Sequence, residues 1–170
     1  MRRPVFRFWF VFLLALTLGT VLHFLYEWLP GPVTALVSPV RESLWEHLKI
    51  LYFPLLLSSL ALGGRESRAI WLLSALLVCA LMLLAGWMYH VVLEQDAMIF
   101  DLILYGVLML LGFLLPRLLW PLGEWPGVKK AAVLLTVLLG AAILSFTFAP
   151  PRGILFADLS AARTFLTIPI

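Results

Sequence analysis

Residues 69–92 read AIWLLSALLVCALMLLAGWMYHVV and contain no lysine, arginine, aspartate or glutamate. A helix needs about 20 consecutive apolar residues to cross the hydrocarbon core of a bilayer. Four further runs that are largely apolar occupy residues 5–28, 42–62, 97–115 and 131–149. The sequence therefore predicts an all-α fold, a polytopic transmembrane helix bundle of about five spans that forms a single domain over residues 1–170.

The overall composition leaves little room for anything outside the membrane. The chain has 170 residues, of which 64% are hydrophobic and only 12% are charged. The segments 30–41 and 150–170 are apolar, but they are interrupted by proline or are too short to span the membrane. We therefore expect them to lie at the outer interface. The net charge of +3 comes from basic residues in loops, where they act as topology signals. We expect membrane lipids and no nucleic acid as partners.

The distribution of charge predicts an orientation, because basic residues are enriched in cytoplasmic loops. With the N-terminus in the cytoplasm and the C-terminus outside, eight of the twelve basic residues lie inside and seven of the nine acidic residues lie outside. The inner basic residues are Arg2, Arg3, Arg7, Arg65, Arg68, Arg117, Lys129 and Lys130. The outer ones are Arg41, Lys49, Arg152 and Arg163.

One stretch stands out against this apolar background. Residues 42–49 read ESLWEHLK and carry four ionisable side chains, those of Glu42, Glu46, His47 and Lys49. A charged group in a bilayer costs roughly 2.5–3.5 kcal/mol on insertion scales, so such a cluster is a functional-site hypothesis. On a continuous helix Glu42, Glu46 and Lys49 would share one face.

Further polar residues fall at the same predicted outer end. They are His23 on the first span, His90 closing the third, Asp101 opening the fourth, and Arg152 after the fifth. Imidazole and carboxylate groups suit a divalent metal such as zinc, so the predicted metal ligands are His23, His47, His90 and Asp101.

The catalytic candidates are Glu46, His47 and Glu42, with a glutamate as general base on a metal-bound water. Lys49, Arg152 and Trp45 are the predicted substrate-binding residues. A metal-free alternative is acid–base chemistry by His47 and Glu46 while Lys49 polarises a substrate oxygen.

Three functions remain open at this point. The first is a membrane-embedded enzyme that hydrolyses, or transfers a group from, a lipid or lipid-linked amphiphilic substrate. The second is a small transporter or a substrate-binding membrane subunit, since deep polar clusters also mark transport pathways. The third is a non-catalytic accessory or assembly protein. The sequence leaves the oligomeric state open.

Residues 38–49, SPVRESLWEHLK, resemble the S-P-V-N-E-S-x-W-E-H-x-K motif of a family of small bacterial integral membrane proteins of unknown function. His23, Pro54, Asp101 and residues 146–148 are similar to other landmarks of that family, whereas Arg41 stands in place of its asparagine. The resemblance implies a multi-pass protein of the bacterial cytoplasmic membrane and supports the choice of site residues. It implies no activity.

Overall fold

A computed structural model describes residues 5–159, and within that range every regular element is helical. The α-helices are α1 (Val5–Trp28), α2 (Pro32–Val37), α3 (Lys49–Leu62), α4 (Arg68–Gly86), α5 (Met98–Leu118) and α6 (Pro126–Phe148). Short 3₁₀ turns occupy Glu46–Leu48, Trp120–Glu124 and Ile154–Phe156, and a π-helical turn, Trp87–Val92, extends α4. The predicted all-α fold is confirmed. Arg2, Arg3, Arg163 and the rest of the segment 160–170 lie outside the described residues.

Four helices are long and apolar enough to cross a membrane: Val5–Trp28, Arg68–Val92, Met98–Leu118 and Pro126–Phe148. They coincide with the runs predicted at 5–28, 69–92, 97–115 and 131–149. Large apolar side chains remain exposed along α1, α5 and α6. A helix that is apolar all round needs lipid or protein on every side. These four helices therefore indicate a membrane protein.

The predicted span 42–62 is shorter in the structure, because its helix begins at Glu46 and becomes an α-helix only at Lys49. A helix through Glu42 would need its carbonyl to accept the backbone N–H of Glu46. Instead, the N–H of Leu159 donates to the Glu42 carbonyl at 2.8 Å. The backbone N–H of Glu46 donates to the Ser43 hydroxyl at 3.3 Å. The interpretation that Glu42, Glu46 and Lys49 share a helix face is therefore wrong.

Helix α3 has 14 residues and lies inside the bundle. At 1.5 Å per residue it is about 21 Å long, less than the roughly 30 Å of a hydrocarbon core. It packs against α1, α4 and α5, and nine of its residues are buried, among them Lys49, Leu51 and Leu55. The surrounding helices, and not lipid, thus cover most of α3.

Hydroxyl groups join the helices to one another. Tyr52 on α3 donates to the Thr136 carbonyl on α6 at 2.9 Å. Ser74 on α4 donates to the Gly112 carbonyl on α5 at 2.7 Å. Tyr105 on α5 donates in the same way to α1, at the carbonyl of Leu16. Such interhelical bonds stabilise packing where no water can compete for the donor.

Helices α1, α3, α4, α5 and α6 run alternately in opposite directions. The carboxyl ends of α1, α4 and α6 therefore meet the amino ends of α3 and α5, and we call this the polar end. The His90–Asp101 pair joins α4 to α5 there. At the opposite end Arg7 of α1 donates to the Ala61 carbonyl of α3 at 2.8 Å. Arg117 of α5 lies 5.3 Å from the centre of the Phe8 ring.

Candidate functional site

Lys49 organises the polar end from a fully buried position. Its side chain is 0% exposed. The ammonium group donates to the carbonyl oxygens of Ala35 at 2.7 Å and Ser38 at 3.0 Å. It also donates to Glu46 Oε2 at 2.8 Å. All three ammonium hydrogens have acceptors. Lys49 thus binds the chain segment before α3, and we call Ser38, Glu46 and Lys49 the clamp.

Glu46 belongs to the same buried network. Its Oε2 atom accepts the backbone N–H of Val40 at 2.9 Å as well as the Lys49 ammonium. Its Oε1 atom is buried without a hydrogen-bond partner among residues 5–159. Both bonds to Oε2 hold the segment before α3. The structure thus places Glu46 within the clamp, although the sequence predicted it as a catalytic residue.

Ser38 ties the segment to α1 beside His23. Its hydroxyl donates to the Leu22 carbonyl at 2.5 Å and accepts the backbone N–H of Tyr26 at 2.9 Å. A regular helix would join that carbonyl and that N–H directly. The serine hydroxyl therefore inserts into the turn that carries His23, and it fixes this turn relative to the clamp.

Three ionisable side chains meet next to the clamp. One ligand atom each from His23, Glu42 and His47 lies within 4.8 Å of the other two. Glu42 Oε2 is 3.3 Å from His47 Nε2, and the two imidazole rings are 5.2 Å apart between centres. The Glu42 side chain is 54% exposed and that of His47 is 17% exposed. We call this group the His23–Glu42–His47 cluster. Its partly exposed side chains make it accessible at the surface of the protein.

Hydrogen bonding sets the tautomer of the neutral His47 ring. Its Nδ1 atom lies 2.8 Å from the Ser43 carbonyl oxygen, which can only accept. Nδ1 must then carry the hydrogen, so the neutral ring has its lone pair on Nε2, the atom that faces Glu42. In His23, Nδ1 is buried with no hydrogen-bond partner within the described chain.

His90 and Asp101, the other two predicted metal ligands, form a separate pair. His90 Nε2 is 2.8 Å from Asp101 Oδ1, and His90 Nδ1 is 3.1 Å from the Gln95 carbonyl. His90 lies in the π-helical turn at the end of α4. The four predicted ligands therefore divide into two pairs. Glu42, predicted as a base, joins His23 and His47 instead.

Trp45 and Arg152, both predicted to bind substrate, lie in different surroundings. The Trp45 ring packs against Phe156 and Phe146, with centres 5.1 and 5.5 Å away. The backbone N–H of Trp45 donates to the Leu155 carbonyl at 3.0 Å. Trp45 thus attaches the segment after α6 to the polar end. Arg152 is exposed.

Two cavities lie at the end opposite the cluster. One, of about 280 Å³, is lined by residues that include Glu66 and Glu124. The other, of about 440 Å³, is lined in part by Phe8 and Arg117. Neither is lined by a predicted site residue.

A family model described as a family of unknown function, DUF6512, matches residues 7–164. The chain belongs to this family. No curated protein and no solved structure matches the chain. The resemblance noted in the sequence is confirmed at the level of a family of unknown function.

In this DUF6512 chain, sequence reasoning missed the role of Ser38. A serine near a helix end is too common to attract notice. The available signal was its place in the stretch 38–49, eleven residues before Lys49. The motif thus contains two kinds of polar residue. The clamp residues are buried and bond to one another and to the backbone, whereas Glu42 and His47 form the cluster with His23. Two imidazoles and a carboxylate can bind a divalent metal or accept and donate protons.

Proposed function

We propose that this DUF6512 protein is a membrane-embedded enzyme that hydrolyses, or transfers a group from, a lipid or lipid-linked substrate at the polar end. The observation that carries the proposal is the His23–Glu42–His47 cluster, because it places reactive groups at an open position on an apolar bundle. Hydrolysis and group transfer both need an activated oxygen nucleophile. Such a cluster can activate one through an imidazole base or a bound metal.

The charge distribution supports an outward-facing polar end. The described basic residues at the opposite end are Arg7, Arg65, Arg68, Arg117, Lys129 and Lys130. The polar end carries Arg41, Arg152 and Lys49, of which Lys49 is paired with Glu46. By the positive-inside rule the N-terminus is cytoplasmic and the cluster faces the outer leaflet. The proposed setting is the cytoplasmic membrane of a bacterium.

The surroundings of the cluster favour an amphiphilic substrate. Phe24 and Trp28, on the same helix as His23, are exposed and stack with ring centres 5.8 Å apart. Aromatic side chains are enriched where apolar helix surfaces meet the headgroup region. A polar headgroup would bind at the cluster while its apolar tail lies against the exposed side of α1.

Transport is less well supported, because residues 5–159 of one chain offer no polar route through the bundle. Between its two ends, the described helices carry hydroxyl groups that bond to helix carbonyls, such as those of Ser58, Ser74 and Thr136. A transport path needs polar groups in both halves of the membrane.

An accessory role is favoured by a different observation, the complete burial of Lys49 and its bonding to Glu46. The clamp fits a purely structural function. The cluster distinguishes the two candidates, since a structural protein has no need for its chemistry. Variants of Glu42 and His47 that fold normally should lose function only if the protein is an enzyme.

The test is a comparison of lipid composition in host cells that lack the gene. The cells receive the wild-type chain, Glu42→Gln, His47→Ala, or the control Glu94→Gln, which alters an exposed carboxylate of the loop before α5. Mass spectrometry of the total lipid extract should show an amphiphile that accumulates in the deletion strain. Wild type and the control should remove it, and the two cluster variants should not. Equal lipid profiles for wild type and both cluster variants, at equal membrane levels, contradict the proposal.

A further inference from the structure

We infer that His23, Glu42 and His47 bind one divalent transition-metal ion, for which Zn²⁺ is the probe. The inference deepens the proposed function, on which its catalytic meaning rests, because a metal would supply the means of activating water. The site itself can be tested without any knowledge of the substrate. The ligand set differs from the one predicted from sequence, since Glu42 replaces His90 and Asp101.

The donor atoms lie at separations that suit a metal. Ligands bound tetrahedrally to zinc at about 2.0–2.1 Å are about 3.4 Å from one another. Glu42 Oε2 and His47 Nε2 are already 3.3 Å apart. The ligand atom of His23 lies within 4.8 Å of both. A bound metal would draw the His23 ligand atom closer to the other two.

The surroundings of His47 match those of a metal-bound histidine. Such a residue almost always donates its second ring N–H to a carboxylate or a backbone carbonyl, which fixes the ring and the free lone pair. His47 does this through Nδ1 and the Ser43 carbonyl at 2.8 Å. Its Nε2 lone pair then points to the position where Glu42 and His23 converge.

His23 supplies a second, independent observation. Its Nδ1 atom is buried and has no hydrogen-bond partner in the part of the chain described. Buried polar atoms are nearly always paired with protein or with ordered water. An imidazole nitrogen without a protein partner, in a side chain beside a second histidine and a carboxylate, is available to an additional bound group.

The backbone around the ligands is held in place by other contacts. Ser38 fixes the turn of α1 that carries His23. Lys49 fixes the segment that precedes Glu42. The Glu42 carbonyl accepts the N–H of Leu159 at 2.8 Å. These bonds use none of the three ligand atoms, so the site is formed before a metal binds.

The site also keeps one side open. Catalytic zinc sites use three protein ligands and leave the fourth position to water or substrate, whereas structural sites are closed by four. The cluster offers three ligands, and the Glu42 side chain is 54% exposed. A metal held there would be within reach of a substrate oxygen.

The experiment is a zinc titration of the full-length protein, purified in detergent and stripped with a chelator. A chromogenic competitor reports the affinity, and elemental analysis reports the stoichiometry. We expect one Zn²⁺ per chain for wild type. His23→Ala, Glu42→Gln and His47→Ala should each weaken binding by at least about 10–100-fold, the loss known for even outer-shell partners of metal ligands. His90→Ala and Glu94→Gln are the controls and should bind as wild type does.

Three results would overturn the inference. They are unchanged zinc affinity in the cluster variants, loss of zinc in His90→Ala, and failure of folded wild type to bind Zn²⁺, Co²⁺ or Mn²⁺. Thermal unfolding of each metal-free variant shows whether a loss of binding is only a loss of folding. If zinc does not bind but removal of the accumulating amphiphile in cells still depends on His47, the enzyme proposal stands without a metal. If zinc binds but no lipid changes, the metal site stands without the proposed enzyme.

Discussion

At the scale of single residues, Lys49 shows how this chain tolerates a buried charge. Its ammonium group bonds to Glu46 and to two carbonyl oxygens, those of Ala35 and Ser38. Burial of an ion is costly unless a partner and further hydrogen bonds compensate it. Here every donor is used. Lys49 and Glu46 are therefore best understood as parts that position the cluster.

The clamp leads to a prediction about stability. Lys49→Met should lower the free energy of unfolding by about 3–5 kcal/mol, because it leaves the Glu46 carboxylate buried without its counter-ion. Glu46→Leu should cost a similar amount for the converse reason. The double variant should cost clearly less than the sum of the two, since no unpaired charge remains. Thermal or denaturant-induced unfolding of the purified variants in detergent measures all three free-energy changes. Additive losses in the double variant would show that the two side chains do not act as a pair.

Residue spacing predicted some of these roles and not others. The Glu46–Lys49 pair is local, three residues apart, and its spacing was sufficient to place the two side chains on one helix face. The partners of His23 and His90 are distant in sequence, and both residues lie at the same end of the bundle. Which of them meets His47 depends on how each helix is rotated about its axis. Spacing along the chain does not determine that rotation.

At the scale of helices, a close approach occurs at Gly19 of α1. A Cβ atom there would overlap the carbonyl oxygen of Ile50 on α3 and the hydroxyl of Tyr105 on α5. Pro54 has no N–H to offer the Ile50 carbonyl, which is therefore free to face α1. A weak Cα–H···O contact from the glycine suits this arrangement. Gly19 thus allows three helices to meet beside the cluster.

This crossing predicts different effects for two glycines. Gly19→Ala should destabilise the protein by about 1–3 kcal/mol, the usual cost of overpacking a core. Gly106→Ala is the matched control, because a Cβ there meets no atom within 4 Å. It should be neutral, or stabilising by up to about 1 kcal/mol through helix propensity. Unfolding in detergent measures both. Equal stability of the two variants would contradict the close crossing.

The start of α3 shows where pattern reading fails at this scale. Glu42, Glu46 and Lys49 have helical spacing, which predicted one continuous helix. The backbone instead makes a turn at Ser43, because the backbone N–H of Leu159, in the segment after α6, donates to the Glu42 carbonyl. A bond between residues 117 positions apart has no signature in the local sequence. The long apolar helices were predicted well because hydrophobicity alone sets their length.

At the scale of the whole molecule, the alternation of helix directions gathers residues from the entire chain at one end. The polar end contains His23 of α1, His47 before α3 and Asp101 of α5. The opposite end carries most of the basic residues. This asymmetry is the basis of the proposed orientation.

The orientation predicts which loops are accessible from outside the cell. In a Cys79→Ser background, Gln95→Cys in the loop before α5 should react with a membrane-impermeant maleimide in intact cells. Glu124→Cys in the loop before α6 should react only after the membrane is permeabilised. Both positions are exposed. The reverse labelling pattern would place the cluster on the cytoplasmic side.

The most direct test of the account is an anomalous difference map at the zinc edge, from crystals of the full-length protein grown with Zn²⁺. The account predicts a peak bounded by His23, Glu42 and His47, with the Ser43 carbonyl behind His47 and the Lys49 clamp unchanged. A peak beside His90 and Asp101 in its place, or an empty cluster at saturating Zn²⁺, would contradict it.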